Sequence, residues 1–442
     1  MAIHLSEHFT YSKLLRFTIP SMGMMIFTSL YGIVDGLFVS NLVGKTPFAA
    51  INLIWPYLMV FSTVGFMIGT GGSALVSKTM GQGDRKRANE LFSMLVVLSL
   101  VLGLLFSALG IASLRPVARF LGADGAILNH CVLYGQIILL ALPFYILQNV
   151  FQSFCITAER PNMGLWLTVA AGVTNILLDA LLVYLLRMGL MGAAIATAVS
   201  QLVGGLVPLI YFLRPNQSAL KLVRPIFHLP SVIKTCTNGS SELVSNLSLS
   251  FVGMLYNFQL MRFAGEDGVA AYGVIMYTNF IFIGIFLGYA LGIAPVVGYH
   301  YGAENVSELK NLRRKSLRLI LLLALVLTGL GLIMARPLSL IFVSYDQALL
   351  DMTVHAFRVI SFSFLFIGFN MFTSSFFTAL NDGFISALVS FSRTFLFQSL
   401  AVLLLPVVLE LEGVWWASVI SEICALTVSG LCLLLKRKKY QY

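Results

Sequence analysis

The chain has 442 residues, 58% of them hydrophobic and only 10% charged, against roughly 25% charged in soluble domains. No soluble fold of this length has enough polar surface to cover it, so soluble enzymes, nucleic-acid-binding domains and disordered proteins are excluded. The net charge of +10, from 28 Lys and Arg against 18 Asp and Glu, then reads as basic loops beside an anionic leaflet rather than as a nucleic-acid footprint.

The amino terminus is polar through residue 13 and carries His4, Glu7, His8 and Lys13. The apolar run behind it is longer than the ~7–15 residues of a signal-peptide core. It contains Pro20 and Asp35 and no small-residue cleavage site follows, so a retained first span is expected. A helix crosses a bilayer with about 20 mostly apolar residues. The sequence offers twelve such runs, at 14–40, 47–77, 91–113, 131–154, 164–186, 189–213, 234–262, 269–299, 316–336, 355–380, 384–409 and 413–435. Strict alternation of apolar and polar residues is absent, which excludes a transmembrane barrel. Pro20, Pro56, Pro143, Pro295 and the Gly71-Gly72 pair predict bent or tilted helices.

An even number of spans puts both termini on one side. With both inside, the cytoplasmic segments hold Lys13 and Arg16, the basic residues from Lys78 to Arg87, Arg160, those from Arg214 to Lys234, those from Lys310 to Arg318, and Lys436 to Lys439. The other side holds only Lys45, Arg115, Arg119, Arg187, Arg262 and Arg336, while Arg358 and Arg393 lie inside spans. This asymmetry predicts a multi-pass protein of the inner (plasma) membrane with cytoplasmic termini. Cys131, Cys155, Cys236, Cys424 and Cys432 show no paired spacing, so neither a disulfide framework nor a metal site is expected.

Shifting the chain by half its length superposes four blocks. Gly71 falls on Gly292, and Gly81 on Gly302, each glycine of the second pair opening a loop with Asp84 or Asn305 in it. Phe151, Ser153, Thr157 and Ala158 fall on Phe372, Ser374, Thr378 and Ala379; Gly192, Ala196 and Ser200 fall on Gly413, Ala417 and Ser421. One register shared by four blocks predicts a duplication. The expected fold is an all-α membrane protein of twelve transmembrane helices in two six-helix lobes, related by a pseudo-two-fold axis along the membrane normal. The lobes would be residues 1–213 and 234–442, joined by a cytoplasmic linker at 214–233. Such lobes with a cleft between them suit alternating access.

Four acids lie inside spans: Asp35 in span 1, Asp179 in span 5, Glu242 in span 7 and Glu422 in span 12. Each charge at mid-membrane costs about 2.5–3.5 kcal/mol even on the mild insertion scale, so such residues usually face a cavity. Asp35 and Asp179 fall at similar depth in the outer half of one lobe. Asn175 sits four residues before Asp179, and Tyr31 four before Asp35, each on the same helix face as its acid. Two close carboxyls cannot both ionise cheaply, which suits a shared proton; a cluster of hard oxygens equally suits a small cation such as Na⁺. None of the acids is duplicated: they meet Tyr256, Leu400, Ser21 and Gln201 under the half-length shift. The N-terminal lobe is therefore the better candidate for ion coupling.

The stretch Asn175-Ile176-Leu177-Leu178-Asp179, followed by Gly189, Gly192-Ala193-Ala194-Ile195-Ala196-Thr197 and Ser200-Gln201, resembles the span 5–6 signature of MATE (multidrug and toxic compound extrusion) transporters. Val34-Asp35-Gly36 is similar to that family's first-span acidic motif, and Met80-Gly81-Gln82-Gly83-Asp84 and Tyr301-Gly302-Ala303 to its loops after spans 2 and 8. The resemblance runs the length of the chain. It departs at Glu159-Arg160-Pro161, where many relatives have a glycine. It implies efflux of organic cations and other amphipathic drugs against an inward flow of H⁺ or Na⁺. By position it assigns Asp35, Asn175 and Asp179 to the coupling network, with Tyr31 and Thr197 as polar neighbours. It also marks Gln152 as a fourth-span amide and Glu242 as the seventh-span acid of a sodium-using branch; with Glu422 these form a possible second ion or substrate site.

Tyr57, Phe61, Phe280 and Phe286 are candidates to line a polyspecific cleft. No HExxH, GxSxG or Walker pattern occurs, so an enzyme and an ATP-driven pump are not expected, and no cofactor is implied beyond the coupling ion. The expected partners are small cationic or amphipathic molecules and membrane lipid, with no nucleic acid; one chain holds both lobes, so a monomer suffices. The competing reading is a lipid-linked oligosaccharide flippase of a related fold, which would favour a basic central cavity for pyrophosphate.

Overall fold

A computed structural model describes residues 3–442, except for the side chains of Asn41 and Lys45; the expected placement of the Lys45 charge therefore lies outside the described residues. Six helices make the first lobe: α1 (Tyr11–Phe38), α2 (Lys45–Gly81), α3 (Arg85–Phe120), α4 (Gly125–Thr157), α5 (Pro161–Leu178) and α6 (Gly189–Leu213). The second is built from α7 (Leu229–Gly302), α8 (Val306–Val343), α9 (Gln347–Ser361), α10 (Phe364–Ala379), α11 (Gly383–Phe391) and α12 (Gln398–Leu435), with a short α13 (Arg437–Tyr440) after it. No strand occurs among the described residues.

Nine of these helical stretches are long and apolar enough to cross a membrane, or ten when α9 and α10, bent by 47°, count as one span. Twelve crossings are recovered because two stretches double back. At ~1.5 Å per residue the 74 residues of α7 would extend about 110 Å, several times a bilayer's hydrocarbon core. The chain turns instead at Gly265, whose φ of 61° and ψ of −148° are open to glycine. Tyr256 and Tyr272, on either side of that turn, stack with ring centroids 4.8 Å apart. The second reversal is at Glu410 (φ 50°, ψ −131°), across which Ser421 Oγ donates to Gln398 Oε1 at 2.7 Å.

The caps repeat between halves. Asp84 caps α3 by accepting from Arg87 N at 2.9 Å, and Asn305 caps α8 by accepting from Glu308 N at 3.1 Å. Just before each cap, Gly83 and Glu304 both take a positive φ, 85° and 54°. Both termini gather at one end of the bundle with the loops after α2, α4, α10 and the second half of α7. Residues 3–10 reach Glu159 and Glu308 there, and the ring of Tyr442 packs on Phe376 and Phe377. The segment 214–228 runs at the same end along α3, with Lys221 N donating to Asn89 Oδ1 at 2.9 Å.

The lobes also meet closely at that end, backbone against backbone. A Cβ on Gly239 would fall 1.9 Å from Met67 O, and one on Gly71 2.1 Å from Thr235 O. The pair Gly81 and Gly302 is reciprocal: a Cβ on either would fall 1.9 Å from a carbonyl of the other's helix, Tyr299 O or Lys78 O. Only glycine permits this approach.

Candidate functional site

Asp35 lies on α1 one turn before a π-helical segment, Val39–Val43, and Asp179 opens another, Asp179–Leu185. A π turn carries one extra residue per turn and redirects the side chains after it; such turns recur at functional sites. Asn175 stands one turn before Asp179, and its carbonyl accepts the Asp179 N–H. The two segments bring α1 and α5 together, with Val39, Val183 and Ala193 of α6 packed in one small apolar cluster beside them.

In the first lobe these helices, with α2, α4 and α6, line a partly open cavity of about 260 Å³. Tyr31, Asp35, Asn175 and Thr197 line it, together with Trp55, Tyr134, Tyr145 and Gln201. Asp179 stands behind the wall with no exposed surface. The two carboxyls are close enough to act on one another, and Asn175 lies beside Asp35.

Oxygens dominate the polar atoms here. Asp35 Oδ1, both Asp179 Oδ atoms, Asn175 Oδ1, Thr197 Oγ1 and Gln201 Oε1 are all buried without a hydrogen-bond partner. Buried polar groups are ordinarily paired. A set this rich in acceptors is suited to a positive guest, a proton or a small hard cation. Among the described residues, the cavity lining contains no Lys or Arg. Its aromatic faces add the adaptable apolar surface and cation–π capacity that a lipophilic cation needs.

The second lobe is arranged differently. Glu422 Oε1 accepts from Arg393 Nε at 2.8 Å, and its Oε2 accepts from Asn370 Nδ2 at 2.8 Å. Ser429 Oγ donates to Asn370 Oδ1 at 2.7 Å. Arg393 stands in a third π segment, Ser392–Phe397, and also acts on Glu242, which is half-buried on α7. Tyr256, the repeat mate of Asp35, accepts from Gln398 Nε2 at 2.9 Å. Gln152 lines a separate small cavity of about 10 Å³ with Gln148 and Thr168.

The structure thus groups Tyr31, Asp35, Asn175, Asp179 and Thr197, places Glu242 and Glu422 around Arg393, and sets Gln152 on the separate cavity. Of the aromatic candidates, Tyr57 is held between helices by Gly110 O and Ser113 Oγ, Phe61 packs on it at 5.2 Å, and Phe286 is buried. Phe280 is exposed on α7, where its carbonyl accepts from Ser29 Oγ of α1; Trp55, Tyr134 and Tyr145 line the first lobe's cavity. Nothing in their spacing separates them from the chain's other aromatics. Arg393 was visible as a charge inside a span; its pairing with Glu422, across 29 residues, was not.

The MatE family model matches residues 20–181 and again residues 243–403, one copy per lobe. A multidrug export protein of Staphylococcus saprophyticus, MepA, is 24% identical over 440 residues, covering 96% of this chain and 94% of its own. Among solved structures, an outward-facing multidrug resistance MATE family transporter of the MOP superfamily superposes with a TM-score of 0.92 at 24% identity, covering 98% of this chain and 97% of that one. A MATE structure in complex with MaL6 superposes with a TM-score of 0.93 at 23% identity, covering 98% of each chain.

Proposed function

The chain belongs to the MatE family of multidrug exporters, and from that premise we propose that it is an antiporter which exports organic cations and other amphipathic drugs by alternating access, driven by inward H⁺ or Na⁺. The acceptor-rich cluster of Asp35, Asn175, Asp179 and Thr197 at the first lobe's cavity carries this reading. One site that binds either a coupling ion or a cationic drug, but not both at once, is sufficient for exchange. Glu422 is already neutralised by Arg393, which favours coupling in the first lobe. Lining without Lys or Arg does not suit the pyrophosphate of a lipid-linked sugar, so the flippase reading gains no support. Basic residues collect at the end that carries both termini, Arg85 to Arg87, Lys310 to Arg318 and Arg437 to Lys439, which supports a cytoplasmic orientation of that end.

Proteoliposomes loaded with ethidium, under a proton or a sodium gradient imposed separately, test this. Export is expected under one of the two gradients. It should fall to the no-gradient background in Asp35→Asn and Asp179→Asn, with both variants folded. Unchanged export in both variants would remove the pair from the mechanism.

A further inference from the structure

At the end of the bundle where the termini meet, residues 4–9 are held by two clamps of the same construction. His4 Nδ1 and Leu5 N lie 2.6 and 2.8 Å from the carboxylate of Glu159. His8 Nδ1 and Phe9 N lie 2.6 and 2.9 Å from that of Glu308. Glu159 belongs to the loop after α4, in the first lobe; Glu308 is in the first turn of α8, in the second. Between the clamps the segment is folded by Glu7, whose carboxylate accepts from His4 N at 3.1 Å and from Lys13 Nζ at 2.5 Å. The second lobe grips it further: Asn311 Nδ2 and Lys315 Nζ donate to Phe9 O at 3.1 and 2.6 Å, and Arg318 donates to Tyr11 Oη at 3.2 Å. Leu5 and Phe9 are fully buried. The segment is therefore seated in both lobes.

Glu159 holds a φ of 61°. A glycine would close that turn without strain; what it lacks is the carboxylate that holds His4 and Leu5.

We infer that residues 4–9 are a strap across the inner gate, which holds the lobes together at the termini end and must release Glu159 or Glu308 before that end opens. This rests on the alternating-access reading. The physical constraint is reach. Four residues separate the clamped N–H groups of Leu5 and Phe9, which at full extension span about 14 Å. The segment is not extended, because Glu7 N donates to His4 O in a turn at 3.2 Å. Separation of the lobes therefore first unwinds the turn and then breaks a clamp. The strap adds to the stability of the outward-open state and lowers the inward-open population.

The test uses the full chain with its five cysteines replaced by alanine and spin labels at Gln82→Cys and Ala303→Cys, exposed positions beside the Gly81–Gly302 contact. Distance distributions are recorded in lipid nanodiscs with and without ethidium. In His4→Ala/His8→Ala, and separately in Glu159→Gln/Glu308→Gln, the long-distance population is expected to grow roughly tenfold. Should the histidine pair fail to fold, the Glu pair is read alone. A parent chain that shows both populations, with variants that leave them unchanged, overturns the strap. A parent chain that never opens at this end, with or without ethidium, overturns the exporter reading instead.

Discussion

Neither carboxyl oxygen of Asp179 has a hydrogen-bond partner, whereas both oxygens of Glu422 do, one of them from a guanidinium. A buried ion pair is strongly destabilised by loss of one partner and often indifferent to loss of both. Arg393→Met alone should therefore lose about 3–5 kcal/mol, read as a drop in thermal midpoint in detergent. Arg393→Met/Glu422→Met should recover most of it. Equal losses in the single and double variants would mean that Arg393 is held by something other than Glu422. The four acids could be found from the sequence because a charge in an apolar run is costly and hence visible. Which acid is paired could not, because Arg393 and Asn370 approach Glu422 from other helices.

Secondary structure was legible wherever hydrophobic length decides it, and all twelve runs fall in helices. What the runs did not reveal is the break within span 10, between Ser361 and Phe364, and the π turns at Asp179 and Ser392. A π turn is one additional residue accommodated by packing, and it leaves the hydrophobic pattern on either side intact. Spans 5 and 11 are repeat mates, and each carries one. At this scale the glycine contacts of α2 and α7 carry a test. In Gly239→Ala the new methyl would meet the Met67 backbone, which has no side-chain freedom to yield. The closed arrangement should lose about 1–3 kcal/mol, seen as a larger long-distance population between labels at 82 and 303. Gly253→Ala, on the same helix with nothing within 4 Å, is the control and should change neither closure nor folding. An unchanged distribution in Gly239→Ala would show that the seam does not hold the lobes.

The duplication was legible as a register, and the structure gives that register a physical reason. Gly81 and Gly302 are each other's contacts across the two lobes, and Gly71 and Gly292 each meet the first helix of the opposite lobe, at Thr235 and Thr18. Two of the four matched blocks, Gly71 with Gly292 and Gly81 with Gly302, bring the lobes together, while Asp35 and Asp179, which the shift leaves unmatched, give the lobes different chemistry. The strap was not legible, since His4 and His8 stand in a polar tail and their acceptors lie 155 and 300 residues away. Closure at that end should depend on pH through Glu7. The Lys13 ammonium, and after it the His4 backbone N–H, hold the Glu7 carboxyl below the ordinary glutamate value. These bonds exist only in the folded strap, so closing favours the ionised carboxylate. Its contribution is fully present above the unperturbed value of ~4.3 and is lost as pH falls through the lower, folded-state value. Acidification on the termini side should thus raise the long-distance population through Glu7 below the usual glutamate range, and Glu7→Gln should flatten that part of the titration; buried His300, which faces the same segment with its pKa lowered by desolvation, acts at higher pH and is left unchanged by Glu7→Gln. Exposure of the Glu7–Lys13 pair and screening by salt keep the effect small. An identical titration in the parent chain and in Glu7→Gln would show that the fold of the strap does not depend on this carboxylate.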